Sequence, residues 1–140
     1  LRETPKIEIL TSEFIFDKAP FSECHASTLL ETEKNKILSA WFGGTREGNK
    51  DVCIYLAEKD KQGKWSVPEK IADGFVNDTL QYPCRNPVLY KKANDNIVLF
   101  YKIGPTRREW WGMYNISFDN GKKAGRIRLN YRTECSVRSK

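Results

Sequence analysis

The chain has 140 residues, enough for one ordinary domain with a modest core, and its 39% apolar content excludes an intrinsically disordered chain. No run of 18 apolar residues is present, which excludes a membrane-crossing helix. The net charge of +6 leaves anionic partners open, yet Lys122, Lys123, Arg126, Arg128, Arg132, Arg138 and Lys140 face only Glu134, the pattern of a solvated end. No nucleic-acid motif accompanies that basic run, so neither nucleic acid nor membrane is an expected partner. The first residue is Leu1 rather than Met, as in a processed or trimmed chain, and no signal peptide is visible.

In chain order, strands are predicted over residues 6–10, 13–17, 25–31, 36–42, 51–58, 87–90, 96–102 and 111–117. Each is rich in Ile, Val, Leu, Phe, Tyr or Trp, and turn residues bound each one. Polar tips at Glu33-Lys34-Asn35 and Ala93-Asn94-Asp95 read as hairpin turns. Gly, Pro and polar breaks interrupt every stretch long enough to show a helical period, so no helix is predicted. Four cysteines (Cys24, Cys53, Cys84, Cys135) form no CxxC pair and there is a single His, so neither a metal site nor a cofactor is expected. Cys53 lies in an apolar strand and reads as a small buried hydrophobe. Cys24 and Cys84 precede comparable strands, and a bridge between them stays open.

A shift of 60 residues superposes the chain on itself. Thr28-Leu29 falls on Val88-Leu89, Asn35 on Asp95, Ile37-Leu38 on Ile97-Val98, Ala40-Trp41 on Phe100-Tyr101, and Gly44 on Gly104. The repeating unit is strand, hairpin, strand, long loop, strand and Asp/Gly turn, over 21–72 and again over 82–131, with 1–20 expected to supply strands of a preceding or closing unit. The fold class is all-β: a partial β-propeller of antiparallel four-stranded blades, since such sheets cover their faces by radial stacking. Two units fall short of the three or more that repeats generally need, which points to a fragment or to a chain that needs a partner.

The segments Cys24-His25-Ala26-Ser27-Thr28-Leu29, Ala40-Trp41-Phe42-Gly43-Gly44-Thr45-Arg46-Glu47-Gly48, Pro83-Cys84-Arg85-Asn86-Pro87-Val88-Leu89 and Arg108-Glu109-Trp110-Trp111-Gly112-Met113 resemble the BNR-repeat-like branch of the sialidase (neuraminidase) superfamily of six-bladed propellers. Ser117-Phe118-Asp119-Asn120-Gly121-Lys122 matches the first six positions of that superfamily's Asp-box, and Asp60-Lys61-Gln62-Gly63-Lys64-Trp65 keeps its Asp, Gly and Trp at altered spacing.

The resemblance implies part of a glycoside hydrolase acting on terminal sugars of glycans, secreted or periplasmic. It places a pocket arginine and an acid/base in the loop after the second strand, where Arg46, Glu47 and Asp51 fall, with Glu47 preferred as general acid. It places ligand contacts at His25, Arg85, Asn86, Arg107, Arg108 and Trp110, with Trp111 packing between blades. His25-Ala26-Ser27 stands where sialidases carry an Arg-Ile-Pro motif, which replaces a permanent planar cation by a conditional one. The remaining arginines and the Tyr–Glu nucleophile pair of a sialidase would come from blades outside this sequence, so no catalysis is expected from the chain alone. A non-catalytic carbohydrate-binding propeller is the alternative. Nucleic-acid binding by the basic run is a weaker third reading.

Overall fold

The computed structural model describes residues 6–33 and 35–118. They form two antiparallel sheets and no helix. The first sheet has the order β1 (Glu23–Glu33), β2 (Lys36–Gly44), β3 (Cys53–Lys59), β4 (Glu69–Ala72). The second has the order β5 (Cys84–Lys91), β6 (Ile97–Ile103), β7 (Trp111–Ser117). Each strand neighbours its successor, the up-and-down meander of a propeller blade. The Asp-box positions from Asp119 onward, the basic run and Cys135 lie outside the described residues.

The internal repeat survives down to backbone conformation. His25 pairs with Phe42 and Thr28 with Ala40; sixty residues later Arg85 pairs with Lys102 and Val88 with Phe100. In each sheet two residues therefore oppose one, a β-bulge, and its first residue is left-handed: Ala26 at φ 54° and Asn86 at φ 47°. The hairpin tips repeat the same spacing with Asn35 and Asp95, both at φ 65°. Asn and Asp tolerate that region, whereas Ala has no polar side chain to compensate for the crowding of its Cβ. Pro87 is accommodated because it falls within the bulge, where a missing N–H costs no ladder bond.

Alternation along the strands builds the core. Leu38, Ala40 and Phe42 on β2, with Ile54 and Leu56 on β3, point to one face of the first sheet. They form a single buried cluster with Leu89, Ile97, Leu99, Tyr101, Ile103 and Met113 of the second sheet. The opposite face of the first sheet is closed by the N-terminal segment. Phe16 stacks on Trp41 with centroids 5.4 Å apart, and Phe21 meets Tyr55 at 4.6 Å. Glu13 accepts from both Lys59 Nζ and Trp65 Nε1, and these bonds hold its carboxyl below the ordinary range. Gly43 is required here, since a Cβ would stand 2.9 Å from the Phe21 ring.

One expectation is corrected, one strand is added and one open question is closed. Residues 6–10 and 13–17 carry no strand; the segment joins neither sheet and covers Trp41 by its aromatic side chains instead. β4 was not anticipated, because Glu-Lys-Ile-Ala carries little β signal and forms only alongside β3. Cys24, Cys53 and Cys84 are free, and Cys24 is exposed whereas Cys84 is buried at the repeat-equivalent position, so the bridge left open between these two is not formed.

Two outcomes follow from these features. Ala26→Gly relieves a left-handed alanine and should raise the urea midpoint by the equivalent of about 0.5–1 kcal/mol, whereas Asn86→Gly should shift it by less than about 0.5 kcal/mol. Burial raises Cys53 to about 11, Cys84 well above its ordinary value, and Tyr101 and Tyr55 above theirs. Groups whose folded values are raised contribute stability that is complete below their unfolded values and is lost as pH climbs. The urea midpoint should thus hold up to about pH 9 and fall toward pH 11, with the two thiols, whose unfolded values are lowest, beginning the decline before the tyrosines.

Candidate functional site

The ladders bring three loops to one end of the molecule. Gly43 pairs with Cys53, Ile54 with Ala72, Cys84 with Ile103, and Ile103 with Trp111. The Cys84 N–H donates to the Val52 carbonyl at 2.9 Å and ties the two sheets together at that end. Loops 45–52, 73–83 and 104–110 therefore open side by side.

Loop 45–52 is braced from within. Asp51 Oδ2 accepts from the Thr45 N–H at 2.8 Å and Oδ1 from the Thr45 hydroxyl at 3.0 Å; Asn49 Nδ2 donates to the same hydroxyl at 2.9 Å. Both oxygens of Asp51 are thereby committed to holding the loop. Gly48, at φ 92°, turns the chain where a Cβ would come within 3.2 Å of Arg85 Nη2.

Glu47 projects from this loop to the second sheet. Its Oε1 accepts from Arg85 Nη1 at 2.7 Å, and its own N–H donates to Glu23 Oε2 at 3.0 Å. The Arg85 guanidinium lies over the Trp110 ring at 5.2 Å, and Lys102 Nζ lies over the same ring at 5.4 Å. Arg85 and Lys102 are directly paired across β5 and β6, so both side chains leave the sheet on one face. Arg85 thus joins the Glu47 loop to the Trp110 loop, and residues from two consecutive repeat units converge.

Of the other expected contact residues, His25 is exposed and stacks against Phe42 at 5.8 Å. Arg46, Arg107 and Arg108 are exposed and form no ion pair among the described residues. Asn86 lines a groove of ≈ 220 Å³ whose walls include Phe100, Lys102 and Tyr114. Trp111 lies on the other side of the sheet edge, edge-on to Tyr82 at 5.7 Å, and walls an apolar cleft of ≈ 330 Å³ with Phe75, Leu80 and Met113. Trp110 and Trp111, adjacent in sequence, therefore serve opposite faces, as alternation at the start of a strand requires.

The Glu47–Arg85–Trp110–Lys102 cluster was only partly visible in the sequence. Each of the first three residues could be named, but the pairing could not, and Lys102 was missed. The signal available was register: Arg85 stands sixty residues after His25, at the same place before the bulge.

Two stacked antiparallel meanders with matching bulges, opening their loops at a common end, define a partial β-propeller. The family model described as BNR repeat-like domain matches residues 35–133, most of the chain, and the chain belongs to that family. No curated protein matches the sequence.

Asp51→Ala should free loop 45–52 without unfolding the sheets. Limited proteolysis is expected to cut within the loop several-fold faster, while the urea midpoint drops by the equivalent of no more than about 1–2 kcal/mol.

Proposed function

We propose that this chain is the sugar-contacting portion of a sialidase-like glycosidase acting on terminal sugars of glycans, and that alone it binds without turning over. The observation that carries this reading is the convergence of Glu47, Arg85 and Trp110 from two repeat units at the end where the long loops open. Charged donors beside an indole suit a sugar, which presents hydroxyls at its rim and C–H groups on its faces. Arg46, Arg107 and Arg108 stand exposed on the flanking loops and supply further donors.

Between the two acid candidates, Glu47 is better placed than Asp51. Asp51 spends both oxygens on Thr45, whereas Glu47 uses one oxygen on Arg85, and its Oε2 makes no bond among the described residues. A general acid needs a free oxygen directed at the glycosidic bond. Glycoside hydrolysis also needs a second group opposite the acid, and among the described residues the carboxylates beside Glu47 are committed elsewhere, Glu23 to the Glu47 N–H and Asp51 to Thr45. This shortage favours the second reading, a non-catalytic carbohydrate-binding module, for the chain by itself.

A fluorogenic sialoside should show no hydrolysis with this chain, while a glycan array should retain it on a subset of terminal sugars. Trp110→Ala is expected to weaken that retention by about tenfold, the scale of losing one aromatic contact. Absence of any retained glycan would reject the reading. In a longer protein containing the chain, Glu47→Gln should lower kcat by about 10²–10⁴ and Asp51→Asn by less; equal turnover in both variants would remove Glu47 as the acid.

A further inference from the structure

We propose that the cleft between the hairpin at residues 75–81 and β7 binds an uncharged aromatic group of a small molecule, either a free aromatic compound or the aryl part of a glycoside. The cleft lies on the Trp111 side of the sheet edge, away from Arg85 and Trp110, and stands or falls apart from the glycan reading.

The internal repeat shows what this seat takes. In the first sheet Gly43 pairs with Cys53 and Trp41 with Tyr55; in the second, Ile103 pairs with Trp111 and Tyr101 with Met113. Ile103 and Met113 therefore stand where Gly43 and Tyr55 stand. The seat over Gly43 and Tyr55 is filled by an aromatic ring of the preceding segment, Phe21, which lies 4.6 Å from Tyr55 and close enough to Gly43 to exclude a Cβ. Sixty residues on, the equivalent of Phe21 is Gln81. The corresponding seat, walled by Ile103, Trp111 and Met113, is a cleft of ≈ 330 Å³. That is about twice the ~150 Å³ which accommodates benzene in an apolar cavity, so one ring or two fused rings fit.

The cleft is held open by its own backbone. The Tyr82 N–H donates to the Gly74 carbonyl at 2.9 Å and the Val76 N–H to the Leu80 carbonyl at 2.8 Å. At the tip, Asn77 Oδ1 accepts from the Thr79 N–H at 3.0 Å and the Leu80 N–H at 2.9 Å. A hairpin fixed in this way cannot fold down onto β7, and it keeps Phe75 and Val76 47% and 48% exposed. The walls decide the chemistry of the ligand. Among the described residues no charged side chain lines the cleft, so a charged guest would lose its hydration without a counter-ion. Tyr82 meets Trp111 edge-on at 5.7 Å, which presents ring edges and faces to an incoming ring. A preformed apolar cleft of this size with aromatic walls is the usual shape of a small-molecule site.

The test is an amide-resolved NMR titration of the full chain with 2-naphthol and, separately, 2-naphthyl glucoside at neutral pH. Wild type should show saturable shifts confined to residues 75–82 and 111–113, with a Kd of about 10–100 μM for naphthol. Val76→Asp sets a carboxylate in the wall and should weaken binding at least about tenfold. Tyr90→Ser, on the opposite face of the second sheet, should leave the Kd unchanged. If Val76→Asp fails to fold, Leu80→Trp, which fills the cleft from the hairpin, decides by the same loss. Binding of naphthol alone assigns a free aromatic compound, and binding of the glucoside as well assigns an aryl group carried on a sugar; either supports the site. No saturable response to either compound, shifts centred on Val88, Tyr90 and Phe100, or a Kd unchanged in the wall variants overturns the proposal. Glycans retained on the array by a chain that ignores both naphthyl compounds would sink the aromatic cleft and leave the glycan reading standing.

Discussion

The structure depends on one packed interface, in which the even-numbered face of β2 and β3 is buried against the odd-numbered face of β6. Leu38, Ala40, Phe42, Ile54 and Leu56 form one cluster with Leu99, Tyr101 and Ile103. Neither sheet could persist alone, because a meander with one apolar face left in water gains too little burial to offset the ordering of its chain. The interface also fixes relative position. Once these side chains interdigitate, the Cys84 N–H meets the Val52 carbonyl, and the two loop ends must open together.

The bulges convert that packing into a site. An uninterrupted strand alternates strictly, so a side chain near its end has one of two directions. The extra residue at Ala26–Ser27, repeated at Asn86–Pro87, sharpens the local twist and re-aims the residue before it. In the first unit that residue is His25, which lies on Phe42. In the second it is Arg85, whose length carries its guanidinium between Glu47 and Trp110. One backbone device thus serves two side chains with different reach. The left-handed alanine is the strain carried by the first copy; the second copy uses Asn, for which that conformation is ordinary.

Much of the fold was legible because the repeat constrains it twice over. The sixty-residue shift that aligned Asn35 with Asp95 and Ala40 with Phe100 in the sequence also aligns their backbone angles and ladder partners. What escaped was of three kinds. β4 has almost no intrinsic preference and exists because β3 offers it an edge, a tertiary effect that local pattern cannot carry. Residues 6–17 show strand-like alternation yet join neither sheet, so pattern alone overstates them. The strand predicted from residue 87 begins three residues earlier, because the bulge lets the ladder run through Asn86-Pro87 to Cys84. At the site, residue identities were readable from family likeness, but the ion pair across units depends on side-chain length and loop curvature, which leave no mark on composition.

The same register defines what the described chain leaves uncovered. In the first sheet the face bearing Leu30, Leu38 and Ala40 lies under the second sheet. Their equivalents in the second sheet are Tyr90, Val98 and Phe100, and Tyr90 and Phe100 remain 56% and 46% exposed, beside Val88 at 52%. Isolated apolar residues on a surface need no account, but three on one face of adjacent paired strands form a contiguous patch. The first sheet shows what such a face is for, since its own copy is the floor of the core. A stack built by this rule ends at an open face wherever its last sheet happens to lie, and its loops line only an arc of a mouth. The Arg85 cluster stands at the junction between units rather than within one, so its geometry is complete in a two-unit stack even though the mouth is not.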